Sequence, residues 1–92
     1  MNQGDIYLAD VSAEVRRRVL VLSDQRFNHL TGRAIVAVEY EPEQVRSPPW
    51  HIAGFALEFS ISVAADRLLD RVGGVSSGDL RSVRAALRQI LP

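Results

Sequence analysis

Short runs of apolar residues, separated by polar and turn-forming segments, dominate the first two thirds of the chain. Such runs, rich in β-branched side chains, predict β-strands rather than long helices. Residues 19–22 and 33–38 are almost continuously apolar, which indicates strands buried on both faces of a sheet. The predicted strands cover residues 6–11, 19–22, 33–38 and 52–59, with residues 60–65 continuing in extended form.

Helical periodicity is clearest at the end of the chain. Ser76 stands three residues before Asp79, close to the spacing of a capping box, in which side chains bond the free N–H groups of a helix's first turn. The residues that follow predict an amphipathic helix with an adjoining stripe of arginines. Its apolar face consists of Leu80, Val83, Leu87, Ile90 and Leu91.

Shorter elements are predicted between these strands and the last helix. The Ser23 hydroxyl is a suitable cap for a helical turn, because it can accept a hydrogen bond from a free backbone N–H group. Gly73 and Gly74 are expected to end a second short helix. The predicted elements are a helical turn at residues 23–28, a loop at 29–32, a loop at 41–49 that holds three prolines, and a short helix at 66–72.

The order of these elements predicts a mainly β (α+β) fold in a single domain over residues 1–92. We expect a small partial barrel of antiparallel strands, with a short helix after the second strand and an amphipathic C-terminal helix. Ninety-two residues build only a small core, and such chains often gain stability by dimerising. We therefore expect a symmetric homodimer.

Composition excludes several kinds of site. The chain has no Cys, which excludes disulfides, thiolate catalysis and iron–sulfur clusters, and it has only two His, so we expect no metal and no cofactor. Its apolar runs reach about five residues, against about 20 for a membrane-spanning helix. Residues 1–5 lack the basic and apolar parts of a signal peptide. These observations predict a soluble, cytoplasmic protein that does not bind a membrane.

The positive charge is balanced overall but concentrated locally. The chain has eleven basic and eleven acidic residues, and this zero net charge argues against a protein that binds DNA by electrostatics alone. All eleven are Arg, and Arg16, Arg17 and Arg18 are adjacent at the mouth of a buried strand. Two interpretations stay open: a solvated run of charge, or a clamp whose guanidinium groups neutralise a phosphate during phosphoryl transfer.

Two further pairs of residues can carry chemistry, although the chain holds no motif of a serine hydrolase, a nucleotide-binding loop or a zinc protease. Trp50 offers a ring on which an unpaired base can stack, and His51 can exchange a proton near neutral pH. The alternative is a half-buried core aromatic beside a structural His. Asp66 and Arg67 place an acid beside a base at a strand end, or serve as a helix cap.

Several motifs, in order along the chain, resemble those of the MazF/PemK/Kid toxins. The opening G-D-I-Y-L-A-D at residues 4–10 is similar to the family's first strand, and Arg17 begins a stretch, R-R-V-L-V-L-S, similar to its second. The F-N pair at residues 27–28, the A-G-F-A-L run at 53–57 and the G-G-V-S before the last helix are similar to later family motifs. The resemblance covers nearly the whole chain.

The resemblance implies an SH3-like barrel that dimerises and acts as the toxin of a type II toxin–antitoxin system. It implies a metal-independent endoribonuclease, in which a 2′-hydroxyl of single-stranded RNA attacks the neighbouring phosphate and leaves a cyclic phosphate and a 5′-hydroxyl. A cognate antitoxin is expected to bind through an acidic and hydrophobic C-terminal segment. Arg17 and Asp66 match catalytic positions of the family. The residues expected to bind RNA are Arg16, Arg18, Ser23, Arg26, Trp50, His51 and Arg67.

The chain departs from the family at three positions that bear on catalysis. Arg18 replaces the Pro that follows the catalytic Arg, Tyr40 stands where relatives carry a Ser or Thr hydroxyl, and Ala64 replaces an Arg. Two other functions on the same scaffold therefore stay open. One is a catalytically silent homologue that only binds an antitoxin, and the other is a poison of DNA gyrase, as in the CcdB relatives.

Overall fold

The computed structural model describes residues 1–12, 15–40 and 50–91. Within these ranges the chain forms six β-strands, two α-helices and a 3-10 turn at Ala65–Arg67. The helices are α1 (Gln25–Thr31) and α2 (Ser77–Ile90). The strands are β1 (Asp5–Ser12), β2 (Val15–Val21), β3 (Arg33–Glu39), β4 (His51–Ile52), β5 (Phe55–Ala64) and β6 (Leu68–Gly74). The loop predicted at residues 41–49 lies outside the described residues.

The six strands join in one sheet, in the order β4-β5-β3-β2-β1-β6. Every neighbouring pair is antiparallel, and the sheet curls into a half-barrel. Pairing of β2 with its two neighbours sets Val19 opposite Tyr7 on one side and Val38 on the other. The predicted mainly β fold, a partial antiparallel barrel with a helix after β2 and another at its end, is confirmed.

Alternate side chains of the central strands enter two hydrophobic clusters, because successive residues of a strand point to opposite faces of a sheet. Val19 and Val21 of β2 pack in the first cluster, whereas Leu20 packs in the second. All three are fully buried, which confirms that this stretch of β2 is covered on both faces. The helix α2 covers the second cluster, into which it inserts Val83.

The helix α2 begins as the sequence predicts. The Ser76 hydroxyl accepts a hydrogen bond from the Asp79 amide, 3.1 Å away, and so satisfies a free N–H group of the first turn. Val83 of the predicted apolar face is fully buried, whereas Leu91, just past the last turn, keeps 72% of its surface exposed. Within the described ranges, neither helix is long and apolar enough to cross a membrane.

The helix α1 differs from its prediction at both ends. Asp24, rather than Ser23, caps it, and its carboxylate accepts a hydrogen bond of 2.8 Å from the Arg26 amide. The aspartate replaces the serine because the Ser23 hydroxyl accepts a hydrogen bond of 2.9 Å from the Ile35 amide of β3. The helix also continues through residues predicted as a loop. It ends at Thr31 and is capped by Gly32, whose φ of 66° is a left-handed conformation that glycine adopts without strain.

The strand predicted at residues 52–59 and continued to residue 65 is confirmed over residues 55–64, but it is interrupted by a turn at residues 53–54 that the sequence analysis did not predict. Ala53 and Gly54 form a two-residue turn between β4 and β5, with φ angles of 54° and 88°. Positive φ at both positions is what a type I′ turn requires. The turn escapes prediction because Ala is not one of the residues that normally signal it.

The short helix predicted at residues 66–72 is also wrong. Its last five residues belong to β6, which pairs with β1 and sets Asp70 opposite Leu8. A short apolar pattern such as that of Leu68, Leu69 and Val72 fits a helix or a strand equally well. The segment forms a strand because it pairs with the open edge of β1, where backbone groups would otherwise lack hydrogen-bond partners.

Candidate functional site

The three adjacent arginines stand on β2 itself, because the strand begins at Val15. This corrects the expectation that they precede the strand as part of its mouth. All three residues line an open groove of about 470 Å³. Its other lining residues are Leu8, Val15, Glu39 and Tyr40. Regular strand backbone fixes the spacing of these guanidinium groups more tightly than a loop would.

Two of the three arginines are engaged by acidic residues of the neighbouring strands. The Arg16 Nε atom lies 3.3 Å from Asp10 Oδ1 on β1. Arg18 binds Glu39 on β3 through both carboxylate oxygens, with Nη2–Oε1 at 2.8 Å and Nε–Oε2 at 3.3 Å. Arg17 makes no ion pair or side-chain hydrogen bond within the described part of the chain. Among the described residues, Arg17 is therefore the arginine of the three that has no anionic partner.

The Arg18–Glu39 pair determines the ionisation state of Glu39 in the groove. The hydrogen bond from Arg18 lowers the pKa of the Glu39 carboxyl, against a smaller opposing effect of burial, and the charges of Arg18 and Arg17 lower it further. The same contact raises the pKa of the Arg18 guanidinium. Glu39 is therefore a carboxylate at neutral pH. It offsets part of the positive charge that the three arginines bring together.

A second constellation, formed by Tyr40, His51 and Glu58, adjoins the groove. The Tyr40 and His51 rings stack with centroids 4.1 Å apart and an angle of 29° between their planes. His51 Nε2 lies 3.0 Å from Glu58 Oε1, and the His51 side chain is only 6% exposed. Its Nδ1 atom and Glu58 Oε2 are buried without a hydrogen-bond partner among the described residues. His51 is predicted to contact RNA directly, but its side chain is almost fully buried.

Trp50 lies away from the arginines, on the side of the hairpin that faces α2. With His51 and Ile52 it lines a groove of about 400 Å³ whose opposite wall includes Ser82 and Gln89 of α2. Trp50 also packs on the second hydrophobic cluster. The predicted stacking ring and the predicted phosphate-binding arginines therefore lie in different grooves, with the Tyr40–His51 stack between them.

Ser23 and Arg26, both predicted to bind RNA, flank the start of α1. The Ser23 hydroxyl donates to Asn28 Oδ1 and accepts from the Ile35 amide, so it already has partners within the protein. Ser23 borders an apolar groove of about 300 Å³ together with Phe27. Arg26 is exposed. Neither residue lines the groove of Arg17.

Asp66 and Arg67 lie on the 3-10 turn that precedes β6, and both are exposed. Asp66 is not among the residues that line the groove of Arg17. Arg67 lines a different groove, of about 440 Å³, beside Asp10 and Arg33. Asp10 connects the two grooves, because it lines this one and binds Arg16 of the other.

Reasoning from the sequence missed the acidic partners Asp10, Glu39 and Glu58. Nothing marks them in the chain, because each is an ordinary carboxylate on one strand and its partner lies on another strand. The register of β2 against β3 would identify Glu39 as the neighbour of Arg18. Among the residues that the structure describes, no cluster of three His, Asp or Glu side chains is suited to hold a metal ion.

Known structures resemble this chain in fold over almost its entire length, although no protein-family model and no curated protein sequence matches it. An endoribonuclease in complex with its cognate antitoxin, from a mycobacterial species, is 19% identical, with a TM-score of 0.83 over 100% of this chain and 97% of its own. A second mycobacterial endoribonuclease is 19% identical, with a TM-score of 0.81 over 99% and 90% of the two chains. A MazE–MazF structure from Deinococcus radiodurans is 20% identical, with a TM-score of 0.75 over 98% and 94%. The chain thus has the fold of MazF and of these mycobacterial endoribonucleases.

Proposed function

We propose that this protein is a divergent member of the MazF/PemK/Kid toxins: an endoribonuclease that cleaves single-stranded RNA and the toxin of a type II toxin–antitoxin system. The shared fold and the sequence motifs support this assignment. The observation that carries it is the groove on β2, in which Arg17 has no anionic partner among the described residues while Arg16 and Arg18 are both ion-paired.

In the proposed reaction Arg17 binds the phosphate between two nucleotides. The 2′-hydroxyl of the upstream nucleotide loses its proton and attacks the phosphorus atom, and the bond to the 5′-oxygen breaks. The products are a 2′,3′-cyclic phosphate and a 5′-hydroxyl, whose oxygen takes up a proton. A guanidinium group held in place by β2 stabilises the negative charge that grows on the phosphoryl oxygens in the transition state, and it does so without requiring a bound metal.

The proposal extends to RNA that continues beyond the groove of Arg17. A strand of RNA that crosses the end of β1 at Asp10 would reach the second groove, where Arg67 and Arg33 offer further guanidinium groups. Arg67 is therefore proposed as a phosphate contact away from the cleaved bond. The catalytic role predicted for Asp66 stays a prediction.

We also propose that the toxin works as a homodimer and is neutralised by an antitoxin. Phe59 and Ile61 lie two residues apart on β5 and are 58% and 40% exposed, which supports a further apolar interface. One structure of this fold holds an endoribonuclease with its cognate antitoxin. An acidic segment of such a partner would compete with RNA for Arg17, because one guanidinium group cannot bind a carboxylate and a phosphate in the same position.

The test is cleavage of an end-labelled, single-stranded RNA of mixed sequence by the purified protein in EDTA. We expect cleavage by the wild type, products that end in a cyclic phosphate, and loss of cleavage in folded Arg17→Ala. Arg88→Ala is the matched control, since Arg88 is an exposed arginine of α2 that lines none of these grooves. Full cleavage by Arg17→Ala would remove the assignment of the site. A folded wild type that binds an antitoxin without cutting RNA would indicate the silent homologue.

A further inference from the structure

Tyr40 connects the arginine groove with the half-buried pair of His51 and Glu58. Its ring stacks on the His51 imidazole at a centroid distance of 4.1 Å, and the residue also lines the groove that holds Arg17. The residue is half-buried. Among the described lining residues of that groove, Tyr40 is the aromatic one.

The position of Tyr40 is fixed by contacts on several sides. Its backbone amide donates a hydrogen bond of 3.2 Å to the Gly54 carbonyl in the turn of the β4–β5 hairpin. The His51 ring under it is held in turn by Glu58, at 3.0 Å. A side chain that is already ordered loses little conformational entropy when a ligand binds it. Tyr40 is therefore a preorganised aromatic surface beside an available guanidinium group.

We propose that Tyr40 is the stacking platform for a base of the RNA nucleotide that adjoins the phosphate bound by Arg17. This inference rests on the proposed function and names the group that holds the substrate's base. A positive charge and an aromatic face, side by side, match the phosphate and the base of a single-stranded nucleotide. Because stacking needs only a π-face, the platform accepts any of the four bases. His51 and Glu58 act as positioning residues beneath it, and Trp50, in the groove against α2, does not take this role.

The experiment measures binding of two fluorescein-labelled strands by fluorescence anisotropy. The first is a single-stranded 2′-O-methyl RNA of mixed sequence, which cannot be cleaved by attack of a 2′-hydroxyl. The second has the same phosphate backbone length but consists of abasic tetrahydrofuran units. The proteins are the wild type, Tyr40→Phe, which keeps the ring, and Tyr40→Leu, which keeps an apolar side chain without it.

We expect Tyr40→Leu to weaken binding of the RNA about tenfold or more and to leave binding of the abasic strand unchanged. Tyr40→Phe should bind both strands like the wild type. A variant that fails to fold would lose binding of both strands alike. The wild type must itself bind the RNA more tightly than the abasic strand. These two comparisons separate the loss of a stacking surface from the loss of the fold.

Other outcomes would overturn the proposal that Tyr40 is a stacking platform. It is wrong if a Tyr40→Leu protein that is folded by circular dichroism weakens binding of both strands equally or of neither, if Tyr40→Phe is as defective as Tyr40→Leu, or if the wild type binds both strands with the same affinity. The last result would leave the proposed function standing on phosphate contacts alone. Failure of the wild type to bind either strand would instead overturn the proposed function, and with it the platform.

Discussion

Arg18 and Glu39 are joined across β2 and β3 by two hydrogen bonds, of 2.8 and 3.3 Å. The register that sets Val19 opposite Val38 brings them together, because each is the next residue outward along its strand. With Asp10 bound to Arg16 on the other side, two of the three arginines are neutralised. The acidic neighbours thereby single out Arg17 within a cluster whose members look equivalent in the sequence.

The Arg18–Glu39 pair predicts a pH-dependent stability that Glu39→Gln should remove. Arg18 lowers the pKa of Glu39 from its ordinary 4.5, so the pair stabilises the folded state above about pH 4.5 and loses this effect as the pH falls through the lowered value. We expect Glu39→Gln to melt at a lower temperature than the wild type at neutral pH, with a difference that shrinks in acid. Circular dichroism melting at a series of pH values measures it.

The control for that prediction is the same substitution in an Arg18→Gln background. There Glu39→Gln should cause no comparable pH-dependent difference, because the partner that lowers the pKa is gone. A melting difference between wild type and Glu39→Gln that stays constant from neutral to acid pH would contradict this account of the pair.

Leu57 tests whether α2 and the sheet share one cooperative core. It is 1% exposed and packs in the cluster that α2 covers. Leu57→Ala should lower the free energy of unfolding by about 2–5 kcal/mol, since it deletes buried apolar contacts and leaves a cavity. Leu91→Ala, at a leucine that is 72% exposed, should change it by less than about 0.5 kcal/mol. Urea unfolding gives both values, and equal effects would contradict the burial.

Elements with strong local signals could be predicted from the sequence, and elements defined by pairing could not. The cap at Ser76 and the apolar face that includes Val83 are local features, and α2 formed as predicted. The uninterrupted run at residues 19–22 likewise indicated burial on both faces. Residues 66–72 were misassigned because β6 exists through its hydrogen bonds to β1, a partner about 60 residues away in the chain.

In the candidate site, too, local features could be predicted from the sequence and features that depend on strand pairing could not. The cluster of Arg16, Arg17 and Arg18 is visible in the sequence as three adjacent charges. Which of them is available depends on Asp10 and Glu39, whose positions follow from strand register. The stack of Tyr40 on His51 also depends on register, because the β4–β5 hairpin carries the histidine.

The turn at Ala53 offers a stabilising substitution. Its φ of 54° is in the left-handed region, where an Ala side chain is crowded by the backbone, whereas Asn tolerates that conformation and Asn-Gly is a preferred type I′ pair. Ala53→Asn should raise the free energy of unfolding by up to about 1 kcal/mol. Ala53→Val should lower it, because a β-branched side chain fits positive φ poorly. A thermal melt distinguishes the two, and a shift of the same sign in both would exclude this conformation.

Arg17 should dominate the salt dependence of RNA binding. Each phosphate that a cation neutralises on a single strand contributes about 0.7 to the slope of log affinity against log salt, because condensed counterions are released. Truncating Arg17 should therefore reduce the magnitude of that slope by about 0.7, measured by anisotropy with the 2′-O-methyl RNA over a range of KCl concentrations. Arg16→Ala should reduce it less, since Arg16 is already paired with Asp10. Arg88→Ala, on the exposed side of α2, should leave it unchanged. An equal reduction in all three variants would mean that RNA binds the surface diffusely rather than through the groove of Arg17.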